Sequence, residues 1–185
     1  MKKLSVILLL AAAFTLGLSA APLIQLGGYA SYNNDILTVD DDEDISFSSF
    51  TIGPEARVNL LMFSLDVPAT VGFTSKGDFT ASLMPSINLS ASATSLIDLA
   101  VGIGIQMDVT KKDGDWYING HDTDEFSNNI LGLTPFYRLA LTFNAGTISI
   151  GAALTMESSG TFDSMDWEPD WDQARGSVSV LWNFL

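Results

Sequence analysis

The 185-residue chain contains no cysteine, which excludes disulfides, thiolate metal sites and a lipid-modified N-terminal cysteine. It has a single histidine, His121, so the usual general base is nearly absent. Positive charge is also scarce. Eight Lys and Arg stand against 22 Asp and Glu, giving a net charge of −14, a balance that excludes phosphate-backbone recognition and hence a nucleic-acid partner. Apolar runs long enough for a membrane helix are missing too. The N-terminal run 4–18 falls short of the roughly 20 residues a spanning helix needs. Yet the chain is not a disordered acidic polymer, because its mean hydropathy is +0.28 and 47% of its residues are hydrophobic. A chain both apolar and acidic must separate the two properties in space.

The first segment reads as a leader. Lys2 and Lys3 precede an apolar stretch centred on Leu8, Leu9 and Leu10, and the small residues Ser19, Ala20 and Ala21 follow as a cleavage site. A signal peptide over 1–21 leaves 22–185 as one domain. Loss of Lys2 and Lys3 takes the net charge from −14 to −16.

Most of the acid lies in three segments. Asp35 and Asp40 to Asp44 form the first; Asp113, Asp115, Asp122, Asp124 and Glu125 the second; Glu157, Asp163, Asp166, Glu168, Asp170 and Asp172 the third. All three carry Asn, Gly, Ser or Pro and read as loops. Between them the chain alternates. Ile97, Leu99, Val101, Ile103, Ile105, Met107 and Val109 fall on one face of an extended strand, and Asp98, Ala100, Gly102, Gly104, Gln106, Asp108 and Thr110 on the other. Segments 79–93, 147–156 and 177–184 repeat the pattern.

Alternation alone fits any half-buried sheet. Two features select a membrane barrel over a secreted soluble β-sandwich. Several runs reach the 9–11 or so residues of a tilted spanning strand, and the polar face is Ser, Thr, Gly, Asn and Gln rather than Lys and Glu. Eight strands are expected, at 23–32, 50–62, 65–74, 79–93, 97–109, 130–144, 147–156 and 175–185. Short connections fall near 63–64, 94–96 and 145–146, with Asp66-Val67-Pro68 as an alternative for the first. The long acidic ones are 33–49, 110–129 and 157–174, with a brief tip at 75–78 as the exception on that side. The expected fold is therefore all-β: an eight-stranded antiparallel transmembrane up-and-down β-barrel with its short turns on one side. Pro54, Pro85 and Pro135 recur in the second, fourth and sixth strands, each on the outward face, and are expected at a bulge or a rim.

The stretch Gly53-Pro54-Glu55-Ala56-Arg57 and the closing Val178-Ser179-Val180-Leu181-Trp182-Asn183-Phe184-Leu185 resemble small eight-stranded outer-membrane barrels of the OmpX, OmpA-barrel and OmpW kind. The resemblance implies residence in the bacterial outer-membrane bilayer and a C-terminal strand read by the barrel-assembly machinery. That signal usually ends on an aromatic residue, whereas here Phe184 is penultimate. The OmpW likeness implies passage of a small or hydrophobic solute as the alternative to a structural or surface-interaction role.

Glu55, Arg57 and Arg138 share the inward parity of their strands, with Asp66, Asp98 and Asp108 as available partners. An unpaired charge in a narrow interior is costly, so these residues are expected to form a salt-bridged plug. The acidic runs and His121 offer oxygen and imidazole ligands, but no run keeps the EF-hand spacing, and a solvated loop is the expectation. Trp167 and Trp171, with Phe162 nearby, are candidate loop contacts. No serine motif or carboxylate pair stands out as a nucleophile or acid–base couple, so neither an enzyme nor a cofactor site is expected.

Overall fold

The computed structural model describes residues 22–33, 49–73, 77–112, 114–122, 133–160 and 167–184, with the side chains of 121 and 122 excepted. The leader 1–21 and half of the acidic residues (Asp35, Asp40, Asp41, Asp42, Glu43, Asp44, Asp113, Asp124, Glu125, Asp163 and Asp166) lie outside those residues, as does Phe162.

Eleven strands are described: β1 (Ile24–Tyr32), β2 (Phe50–Leu60), β3 (Phe63–Phe73), β4 (Phe79–Leu83), β5 (Ser86–Ser92), β6 (Ile97–Lys112), β7 (Asp115–Ile118), β8 (His121–Asp122), β9 (Thr134–Ala145), β10 (Ile148–Ser158) and β11 (Pro169–Asn183). They make eight staves, because β4 and β5 are one interrupted strand and β7 and β8 extend the loop after β6. Every pairing is antiparallel, and the ring closes where β1 pairs with β11, Tyr29 opposite Ser179. In one circuit the register climbs about ten residues, which tilts the strands by about 40°.

Burial is inverted relative to a soluble protein. Gln25, Glu55, Asn88 and Ser149 are 0–1% exposed, while Ile52, Ile87 and Val178 are 58–62% exposed. The alternation of β6, β9, β10 and β11 thus places small polar side chains in the lumen and apolar ones on the outer wall. Aromatic side chains gather at both ends of that wall. Phe63, Phe143, Trp182 and Phe184 ring the short-turn end, and the Tyr32–Phe50 and Phe73–Phe79 pairs sit at the other. At about 3.4 Å per residue and this tilt, the run from Phe63 to Phe73 rises about 25 Å, the height of a membrane barrel's apolar band. No described helix is long and apolar enough to cross a membrane; strands do the crossing.

Several local expectations need correction. The first hairpin turns at Leu61-Met62, with Leu61 in the left-handed region at φ 57°, so residues 63–64 and 66–68 all lie inside β3. Pro54 and Pro85 cause no bulge. Pairings on either side of Pro54 keep one register, as do those of β4 and β5 with β6. At the interruption, the Met84 N–H donates to the Pro68 carbonyl and the Ile105 N–H to that of Pro85, so few ladder bonds are lost. Pro135 does stand near a rim, second in β9. Among the described residues the pairing register shifts between Met156 and Ser158, at the open end of β10–β11.

The second and third long connections are less irregular than their composition suggests. β6 continues to Lys112 and folds back as β7, and the turn to β8 uses Asn119-Gly120, both at positive φ. β11 begins at Pro169 rather than 175, which draws Trp171 from the loop into a strand.

Candidate functional site

The lumen is the place where the chain concentrates unusual chemistry. On β2, Glu55 and Arg57 are two residues apart and so share the inward face; Asp66 on β3 is the direct cross-strand partner of Arg57. Arg138 reaches in from β9, which is not a neighbour of either strand. The four side chains meet across the barrel. Arg57 Nη2 lies 3.1 Å from Glu55 Oε1, and its Nε 3.1 Å from Asp66 Oδ1. Arg138 Nη2 lies 3.7 Å from Glu55 and 3.9 Å from Asp66. All four residues are at most 6% exposed.

Two cations and two anions make the cluster neutral, the condition under which buried charge is tolerable. Its pairs are unequal. Arg57 donates from Nη1 to Thr142 Oγ1 and from Nη2 to Glu55 Oε1, both at 3.1 Å, while its Nε meets Asp66 as an ion pair without hydrogen-bond alignment; Arg138 Nε and Nη1 have no hydrogen-bond partner among the described residues. The Arg138 guanidinium instead lies 5.8 Å from the Tyr29 ring, a cation–π contact. Arg57 is therefore the keystone and Arg138 the looser member.

Asp98 and Asp108 do not join this cluster. Asp98 lies towards the short-turn end and accepts from Ser92 and Asn144; Asp108 lies towards the other end and accepts from Ser82 and, at 2.8 Å, from Gln106. Above it sits a pair that parity on the last strand could have revealed, since Arg175 shares the face of Ser177 and Ser179. Arg175 Nη2 is 2.6 Å from Glu157 Oε1, and its Nη1 donates to Gln106 Oε1. Glu157, counted with the loop acids from composition, is thus an interior residue.

Little space remains. On the short-turn side of Arg57 a cavity of about 20 Å³ has room for about one water, and the gap between Arg57, Arg138 and Thr142 on the other side admits none. Among the described residues, the side chains around Arg57 and Arg138 thus leave no gap wider than about one water.

On the outer rim, Trp171 is exposed, while Trp167 is held at the wall because its carbonyl accepts the Tyr137 hydroxyl. Trp116 lies under Lys111, 5.6 Å from Nζ to the ring centre. Among the described residues no three His, Cys, Asp or Glu side chains are placed to hold a metal ion.

No protein-family model matches the chain, and no curated protein is similar to it. Among solved structures it is similar to the crystal structure of Neisserial surface protein A, with 10% sequence identity, 87% of this chain and 96% of that chain covered, and a TM-score of 0.48. The barrel assignment rests on the register, closure and inverted burial described above.

Proposed function

We propose that the chain is a bacterial outer-membrane barrel with a closed lumen, acting in a structural or surface-interaction role through its acidic loops. The observation that carries this is the neutral Glu55–Arg57–Asp66–Arg138 cluster, which fills the lumen from three staves and leaves room for about one water beside it. Segment 1–21 directs export, and the C-terminal strand ending at Trp182 and Phe184 engages the barrel-assembly machinery. The long-loop end then faces outward, with exposed Trp171 as its candidate contact residue. No catalytic role is proposed.

Two measurements test it. Refolded protein in detergent is expected to migrate faster on gels before boiling than after, as a closed barrel does; unchanged migration together with solubility in plain buffer would favour the soluble sandwich. In planar bilayers the protein is expected to be silent. Discrete conductance steps that disappear on substitution of Arg57 and Arg138 would overturn the closed lumen in favour of solute transport.

A further inference from the structure

The short-turn end of the lumen carries a side-chain network that crosses the closing seam, where β1 and β11, from opposite ends of the described chain, pair. Gln25 is its centre. Its Nε2 donates to Asn183 Oδ1 on β11 at 2.7 Å and to Ser149 Oγ on β10 at 2.9 Å, and its Oε1 accepts from Asn59 Nδ2 on β2 at 3.1 Å. One amide thus ties four staves, including β10, which is not a ladder neighbour of β1. Asn183 Nδ2 donates to the Gly146 carbonyl at 2.6 Å, which leaves the Asn183 oxygen to face Gln25. Gln25 is 1% and Ser149 0% exposed, so the network is shielded from solvent.

A seam between chain ends can close in the wrong register. A slip of one residue would turn Gln25, Tyr29 and Ser31 out of the lumen, and the alternation of the strands forbids it. A slip of two keeps inside and outside intact, so alternation is blind to it. Packing blocks that slip in one direction. Gly27 faces Leu181 and Tyr29 faces Ser179, a small residue against a large one each time, and a Cβ on Gly27 would lie 1.9 Å from the Val180 carbonyl oxygen. Sliding that way sets Tyr29 against Leu181, two side chains already only 4% and 0% exposed. In the other direction Gly27 meets Ser179 and Tyr29 meets Ser177, so no two large side chains of those rows collide. What fails there is polarity. Gln25 then faces the apolar Leu181, Asn183 is carried two residues away, and a buried amide loses its partner.

We propose that the Gln25–Asn183 amide pair, braced by Ser149, is the register lock of the closing seam, which rejects a barrel closed two residues out of step. The consequence reaches the middle of the lumen. Gln25 is also the cross-strand partner of Arg57. A two-residue slip changes the climb per circuit from about ten residues to about eight or twelve, and with it the width that the Glu55–Arg57–Asp66–Arg138 cluster has to fill.

Engineered disulfides read the register directly, because the chain has no cysteine of its own. Gly28 pairs with Val180 on the outer wall, and a Cβ on Gly28 meets nothing within 4 Å, so cysteine fits there. Gly28→Cys with Val180→Cys reports the native register. Gly28→Cys with Val178→Cys reports the slip, since those positions are diagonal neighbours about 7–8 Å apart, too far to bridge until β1 moves by two residues. Each pair is refolded in detergent, oxidised, boiled and run on non-reducing gels. With Gln25 in place the native bridge is expected to dominate. Gln25→Leu should raise the ratio of slipped to native bridge about tenfold or more. Asn183→Ala should raise it too, and decides the matter if Gln25→Leu refolds poorly. Asn88→Leu removes an equally buried amide on β5, bonded to Ser64 away from the seam, and should leave the ratio unchanged. If either seam variant refolds with the ratio unmoved, or if Asn88→Leu raises it as much, the lock is overturned.

Discussion

Arg57→Met removes the keystone of the interior cluster while keeping most of its volume. Glu55 and Asp66 then face one another with only Arg138 to compensate, at 3.7 and 3.9 Å rather than the 3.1 Å that Arg57 holds to each. Both carboxylates are nearly inaccessible, at 1% and 2% exposure, and the cavity beside Asp66 has room for about one water, so solvent cannot make good the lost partner. Removing one side of a buried ion pair costs about 3–5 kcal/mol, and the bond to Thr142 adds about 1 kcal/mol. A loss of about 4–6 kcal/mol is expected in urea unfolding of the refolded barrel in lipid vesicles, read by gel migration and tryptophan emission. Glu55→Gln added to Arg57→Met leaves one acid for Arg138 and should recover about half of that loss. A cost below about 1 kcal/mol for Arg57→Met, the range of exposed pairs, would refute the account of a dry, neutral plug.

Other substitutions separate the two faces of the wall. Ile103→Lys, outward and 56% exposed, would be harmless on a water-washed sheet but should cost about 2–4 kcal/mol in a bilayer, measured by unfolding in vesicles. Gly104→Val places a Cβ 2.3 Å from the Phe136 ring and 2.5 Å from the Pro85 carbonyl, and should lower refolding yield and cost about 1–3 kcal/mol. Gly28→Val meets nothing within 4 Å and should refold normally. Arg175→Met breaks a pair whose side chains are 20% and 18% exposed, and should cost clearly less than Arg57→Met in the same unfolding assay.

The barrel is legible in the sequence because parity survives errors in turn placement. Displacing the first turn from 61–62 to 63–64 leaves Ser64, Asp66 and Thr70 on the same face of β3, so inside and outside remain assigned. The turn itself is hidden because Leu61 occupies a left-handed conformation where Gly or Asn would announce it. The opposite holds at Asn119-Gly120, a good hairpin signal masked by the acidic residues around it. Prolines mislead for a different reason: Pro85 stops a strand without shifting its register, since Met84 and Ile105 keep their bonds around it. Inward parity can be read from alternation, but which inward charges meet depends on the circuit of the whole barrel. Arg138 touches Glu55 from a stave that is not its neighbour, and Asp98 and Asp108 part from the cluster because register carries them to opposite ends.

The central claim is that this wall is turned inside out and faces lipid. The absence of native cysteine allows single cysteines to be placed at each position from 99 to 109 of β6 and spin-labelled in vesicles. Accessibility to oxygen should alternate with period two, high at Leu99, Val101, Ile103, Ile105 and Met107 and low at the residues between, with a polar relaxation agent showing no access near Ile103. If the polar agent reaches those odd positions as readily as oxygen does, the apolar face is not in a bilayer and the account is wrong.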